Sequence, residues 1–150
     1  MQSSLFTYGT LEFPEIMQAI TGRLFRAVPG TLENHAAYLL RRRVYPGLRY
    51  DLNQTTVGTL YLDIDERSKK ILDWFEDNCY QRRPVSVALH NGAMCRTEVY
   101  LLAPTHRQLL TKTRWNPTRF REECLVRYRL RCRDYHRQAC AELGLTPQEI

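Results

Sequence analysis

The chain has 150 residues, 43% apolar and 25% charged, with a formal net charge of +6. That is one domain's worth of chain, long enough to bury a core without a metal or a disulfide. No window approaches the roughly 18 apolar residues of a membrane span, and the apolar run after Met1-Gln2-Ser3-Ser4 stops at Tyr8-Gly9, too short for a signal peptide.

In chain order, Leu5-Phe6-Thr7-Tyr8 predicts a short strand that runs into Gly9. Pro14 suits the first turn of a helix, Ile16, Met17, Ala19 and Ile20 give it an apolar stripe, and Gly22 stops it. An extended region follows. Leu24 to Val28 reads as a strand ending at a Pro29-Gly30 turn, Thr31 to Leu40 as a second strand, and Pro46-Gly47 as another turn. Val57-Gly58-Thr59-Leu60-Tyr61-Leu62 is rich in β-branched and aromatic residues and is the clearest strand. Asp65 caps a helix over residues 67–76, whose apolar face is Ile71, Leu72, Trp74 and Phe75. Strands over 85–89 and 98–102 join through the hairpin dipeptide Asn91-Gly92. Asn116-Pro117 opens a last helix that runs to about Leu143 and ends at Gly144.

Because strands and helices do not alternate, a doubly wound parallel sheet is disfavoured. The expected fold class is α+β: a mixed, closed or nearly closed β-barrel with flanking helices and a long C-terminal helix. Residues 1–150 form one domain, with a core over about 4–103 and a helical extension over about 115–143. The five cysteines, odd in number and without a Cys-x-x-Cys pair, read as reduced thiols of a cytoplasmic protein.

Two segments carry chemistry. In Tyr8-Gly9-Thr10-Leu11 the glycine permits a sharp strand-to-helix turn, and the amides of Thr10 and Leu11 lie near a helix N-terminus, where a carboxylate or developing oxyanion is stabilised. The plain reading of that segment is a simple turn. In Leu72-Asp73-Trp74-Phe75-Glu76, the glutamate stands at the edge of an apolar helix face. Partial desolvation there penalises its charged form and lifts its pKa to about 6–7, a value suited to proton transfer. The plain reading is a solvated helix-end glutamate.

The order of Tyr8-Gly9-Thr10-Leu11, the acidic helix ending in Glu76, Tyr80-x-Arg82 and a Val-x-Val strand resembles the gamma-glutamylcyclotransferase superfamily, and within it the gamma-glutamylamine cyclotransferases and plant avirulence-induced (AIG2-like) proteins. Val44 to Leu48 and Gly58 to Tyr61 look like family segments too, and the similarity runs over roughly Leu5 to Leu102. The resemblance implies intramolecular attack of a γ-glutamyl α-amine on its γ-carbonyl. This releases 5-oxoproline and a free amine, a cyclisation of transferase or lyase type. It implies Glu76 as the general acid/base and Tyr8, Gly9, Thr10, Leu11 and Tyr80 as substrate-binding residues. It also implies a small-molecule γ-glutamyl substrate, no cofactor, no metal and no membrane partner; the residues set no oligomeric state. The three residues between Glu76 and Tyr80, Cys79 among them, and the basic Arg41-Arg42-Arg43 depart from the family pattern and bear on substrate identity. Facing the pocket, those arginines would favour an acidic leaving portion; a solvated loop is the stronger reading.

Three other readings compete. Residues 107–137 hold ten Lys/Arg against three acids, which places the basicity in the C-terminal segment and away from the expected site. Arg119, Arg121, Arg127, Arg129, Arg131, Arg133 and Arg137, interleaved with Tyr128 and Tyr135, could meet phosphates. The alternate arginines fall on different helix faces, however, and a solvated, salt-bridged helix is the stronger reading. Cys132, His136 and Cys140 recur at four-residue spacing and could supply three zinc ligands, against the commoner role of small core residues. The last alternative keeps the fold without catalysis, as a metabolite-binding or regulatory member.

Overall fold

The computed structural model describes residues 3–148. Its six strands are β1 (Ser3–Thr7), β2 (Ala27–Leu40), β3 (Pro46–Ile64), β4 (Tyr80–Leu89), β5 (Met94–Leu102) and β6 (Leu110–Arg114). They run in the order β3-β1-β5-β4-β2-β6, and β2 also pairs with β3, so five strands close on themselves and β6 extends one edge. β1 and β5 are parallel, and the other pairings are antiparallel. This is the mixed barrel expected from the sequence.

Strand alternation sorts side chains to the two faces of the barrel wall. Phe6, Leu60, Val87 and Val99 meet in one core cluster with Tyr8, Leu32, Ala37 and Leu48. Their sequence neighbours Leu5 and Tyr61 join the other cluster, built with Phe13, Ile16, Met17, Ile20, Ile71 and Leu72 from the covering helices. Gly30 and Gly58 stand opposite each other in the β2–β3 ladder. A Cβ at Gly58 would meet the Thr7 carbonyl at 2.1 Å and the Phe6 ring at 2.9 Å. Glycine is needed here because a backbone and an aromatic ring pass directly over the strand.

The helices are α1 (Pro14–Thr21), α2 (Glu66–Glu76), α3 (Pro117–Glu123) and α4 (Leu125–Leu143). The capping signals act as expected. Gly22 is left-handed at the end of α1, the Asp65 carboxylate accepts from the Ser68 amide at 3.2 Å to start α2, and Gly144 ends α4.

Several expectations are corrected. Pro29-Gly30 is no turn: β2 runs through it, with Pro29 opposite Thr59 and lying just outside the stretch of β2 that pairs with β4. The missing proline N–H therefore removes no bond to β4. The turn expected at Pro46-Gly47 occupies residues 41–45 instead, with Arg42 at φ 59°, and Pro46 opens β3 opposite Leu39. The last helix is two helices, broken at Cys124 (φ −126°, ψ −26°). Phe120 packs on Phe13, Trp115 and Tyr128, and it shares one core cluster with Cys132, Ala139 and Cys140 of the second helix. At 100° per residue a continuous helix would turn Phe120 roughly 120° away from Cys132; the break lets both be buried.

Candidate active site

α2 ends at Glu76, and after three intervening residues β4 begins at Tyr80. β1 ends at Thr7, and a 3-10 turn over Thr10–Glu12 follows Gly9. These two chain reversals border one cavity of about 690 Å³, lined by Tyr8, Gly9, Thr10, Leu11, Glu76 and Tyr80. All six residues singled out from the sequence are thus brought together.

The glycine turn is held from several sides. Tyr61 Oη donates to the Leu11 carbonyl at 2.7 Å, and Thr59 Oγ1 donates to the Glu12 carbonyl at 3.1 Å. Gly9 has a negative φ of −122°, so the left-handed region is not what it supplies. It supplies space: a Cβ there would meet the Pro46 ring at 2.8 Å. The turn's own bonds use the amides of Glu12 and Phe13, and the amides of Thr10 and Leu11, first in the turn, lie outside them.

The tyrosines are more committed than their sequence positions suggest. Tyr8 Oη donates to the Tyr100 carbonyl at 2.6 Å, and Tyr80 Oη donates to the Pro46 carbonyl at 2.6 Å. Each phenol has a single proton, so both can only accept from a ligand. Burial pushes both phenols well above their ordinary pKa, and the nearby Glu76 adds to the effect.

Glu76 is partly buried and has no hydrogen-bond or cationic partner among the described residues. Burial, and then the negative charge of Asp73, push its carboxyl up to about 8. Asp73 is its opposite. Its Oδ1 accepts from Tyr100 Oη at 2.7 Å, and Arg82 binds both its oxygens at 3.0 and 2.8 Å. Burial opposes ionisation of Asp73, but the hydrogen bonds from Arg82 and Tyr100 and the charges of Arg82 and Lys69 hold it below the usual carboxylate range. Arg82 also reaches Glu98 at 2.9 Å and so ties α2 to β4 and β5.

One wall of the cavity was not expected. Tyr128, Arg131, Tyr135, Gln138 and Glu142 of α4 line it. They recur at three- and four-residue steps and share one helix face. The expectation that the C-terminal basic segment lies away from the site is therefore corrected: Arg131 belongs to both. Arg42 and Arg43 also line the cavity, where a solvated loop was the stronger reading. The aromatic members of the α4 stripe were visible in the sequence, but they were read as an interleaved surface patch.

The other sequence candidates are accounted for differently. Gln148 N donates to His136 Nε2 at 2.9 Å, so His136 Nδ1 carries the proton and donates to the Ile20 carbonyl at 2.9 Å. Both ring nitrogens are engaged, with Cys132 and Cys140 fully buried alongside. All five cysteines are free. Arg119 pairs with Glu123, and Arg121 lies 4.0 Å from Glu15. No described helix is long and apolar enough to cross a membrane.

Together, the barrel and the pairing of a glycine turn with a partnerless glutamate define a fold of cyclotransferase type. The sequence profile described as "Gamma-glutamyl cyclotransferase, AIG2-like" matches residues 5–117, and the chain belongs to that family. AIG2-like protein C of Arabidopsis thaliana is 34% identical over 85 residues, which is 57% of this chain and 49% of the relative. The chain thus spans about half the length of that relative. Among solved structures, an Arabidopsis thaliana protein determined in solution superposes with a TM-score of 0.66 at 19% identity, covering 96% of this chain and 86% of the other. A gamma-glutamyl cyclotransferase superposes at 0.63 with 12% identity, covering 88% and 86%. At those identities the likeness is one of fold.

Proposed function

We propose that the chain is a cyclotransferase that acts on a γ-glutamyl amine or peptide and releases 5-oxoproline and a free amine. The observation that carries this reading is the Glu76 carboxyl, raised to about 8, opening on the same cavity as the Gly9 turn. Family membership and the likeness to a gamma-glutamyl cyclotransferase support it.

In this reading Glu76, as carboxylate, takes a proton from the substrate α-ammonium. The freed amine attacks the γ-carbonyl carbon and closes a five-membered ring. The proton then passes from Glu76 to the leaving nitrogen as its bond to carbon breaks, and the ring nitrogen gives up its second proton to solvent to become the lactam N–H. Tyr8 and Tyr80, restricted to accepting, suit the ammonium group. The amides of Thr10 and Leu11 suit the oxyanion or the α-carboxylate. Attack within one molecule needs chiefly that the chain be held curled. These steps balance without a cofactor.

The test is mass-spectrometric detection of 5-oxoproline across a panel of γ-glutamyl amines and dipeptides. With Glu76 required as a base, kcat/KM should rise between pH 6 and 8 and level off above it. Absence of 5-oxoproline from every compound would overturn the reading; binding without turnover would mark a non-catalytic member of the family.

A further inference from the structure

We infer that the outer face of α4 docks on an anionic lipid bilayer, with Val126 and Leu130 entering the lipid and Arg127, Arg129, Arg133 and Arg137 meeting the headgroup phosphates.

The helix is used on three sides. Cys132, His136, Ala139 and Cys140 are buried against the domain. Tyr128, Arg131, Tyr135, Gln138 and Glu142 line the cavity. What remains is a stripe of Val126, Arg129, Leu130, Arg133 and Arg137, spaced by three or four residues and turned roughly 160° from the cavity side. Val126 and Leu130, one turn apart, are 74% and 56% exposed. Arg129, Arg133 and Arg137 point the same way, because together they border a cleft of about 90 Å³ against α1 in which Glu15 is the sole acid. Arg127 is exposed beside the stripe.

The charge of this face is largely uncompensated. Arg127, Arg129 and Arg133 have no ion pair or hydrogen bond among the described residues, whereas Arg119 of α3 is paired with Glu123 and Arg137 with Asp134. Glu15 lies 4.0 Å from Arg121, which reduces its repulsion of an anion in the cleft. Glu122, exposed on α3, is the one acid of α3 and α4 outside the cavity that has no partner among the described residues. The balance stays positive.

Four partners can be weighed against these facts. A second copy of the face would set arginine against arginine. A polynucleotide would want bases stacked on aromatic rings between the arginines, but Tyr128 and Tyr135 are turned to the cavity, and the apolar residues left among the arginines are Val126 and Leu130. An acidic protein would need a broad contact, of about 20–30 residues a side, and this stripe is far narrower. A bilayer surface takes both kinds of side chain at once. Short apolar groups enter the acyl boundary while long arginine stems carry their charges back to the phosphates. Such a contact needs no spanning segment, and it departs from the expectation of no membrane partner. With the cavity on the other side of α4, a docked chain keeps its pocket open to water.

The experiment is co-sedimentation of the chain with vesicles of equal parts phosphatidylcholine and phosphatidylserine, against vesicles of phosphatidylcholine alone. Binding should be about a hundredfold tighter to the anionic vesicles and should weaken with added salt. Arg127→Gln/Arg129→Gln/Arg133→Gln should lose about a hundredfold in affinity, at about fivefold for each arginine. Val126→Ser/Leu130→Ser should lose about tenfold while keeping every charge. The substituted side chains lie outside the core clusters, so both variants should match the wild-type melting temperature. Fluorescence anisotropy with polyuridylate and with poly-L-glutamate supplies the other two polyanions. Absence of binding to anionic vesicles, binding that survives the arginine variant, binding untouched by the apolar variant, or tighter binding to either polymer would each overturn the inference.

Discussion

Asp73 and Glu76 are one helical turn apart on α2, and the protein treats them in opposite ways. Asp73 is saturated: Arg82 binds both oxygens, Tyr100 donates to one, and the carboxyl is held in its charged form. Glu76 has burial without a partner, and its carboxyl is pushed up to about 8. The contrast teaches that depth and donors act together: the more exposed carboxyl with three donors becomes a strut, and the more buried one with none becomes a proton carrier. The two are also coupled, because the fixed charge of Asp73 is one of the two causes that raise Glu76.

The comparison can be broken most directly at Glu76. Glu76→Gln should lower 5-oxoproline formation by about 10²–10⁴-fold, measured as kcat. Activity equal to wild type would remove Glu76 from the mechanism. Next in size is its effect on stability, where the sign is unusual for an acid. The folded pKa lies above the unfolded one, so the folded state holds a proton that the unfolded state releases. The wild-type chain should therefore lose stability as pH rises from about 4.5 to about 8, by roughly 2–4 kcal/mol, and show little further change from this group above that. Glu76→Gln lacks this dependence, so its melting-temperature advantage over wild type should grow between pH 5 and pH 8. Parallel melting curves across that range would contradict the raised pKa.

A comparable structural cost is expected at Gly9. Gly9→Ala places a methyl group 2.8 Å from the Pro46 ring, which cannot swing aside, and should destabilise the fold by about 1–3 kcal/mol in denaturant titration. Because Tyr80 bonds to the Pro46 carbonyl, the disturbance should reach the cavity and lower turnover as well. The smallest and sharpest effect concerns the coupling. Asp73→Asn removes a negative charge near Glu76, so the rise in kcat/KM should move from about 8 toward lower pH by up to about one unit, at a stability cost of about 1 kcal/mol. An unmoved limb would mean that the two carboxyls do not communicate.

Much of the site was legible because its signals are local. A strand ending in glycine, a proline at a helix start, an aspartate cap and a glutamate at the end of an apolar face each act within a few residues. What escaped depends on distant partners. Pro29 reads as a breaker unless one knows that β4 pairing begins at Gly30. β6 is a short segment, Leu-Thr-Lys-Thr-Arg, whose strand character comes from its partner β2. The kink at Cys124 follows from two separate burial demands, on Phe120 and on Cys132, that no window of the sequence displays. The α4 wall has a regular stripe, but the stripe gains meaning only once the Tyr45 turn and Trp74 face it.

That wall has a consequence for how the protein is made. Tyr8, Gly9 and Glu76 all leave the ribosome before α4, so a nascent chain can close its barrel while one side of the pocket is still missing. Until α4 docks, the glutamate is more open to water, and the part of its shift that comes from burial should be smaller. Its readiness for proton transfer is completed only when that later segment has been made and has docked.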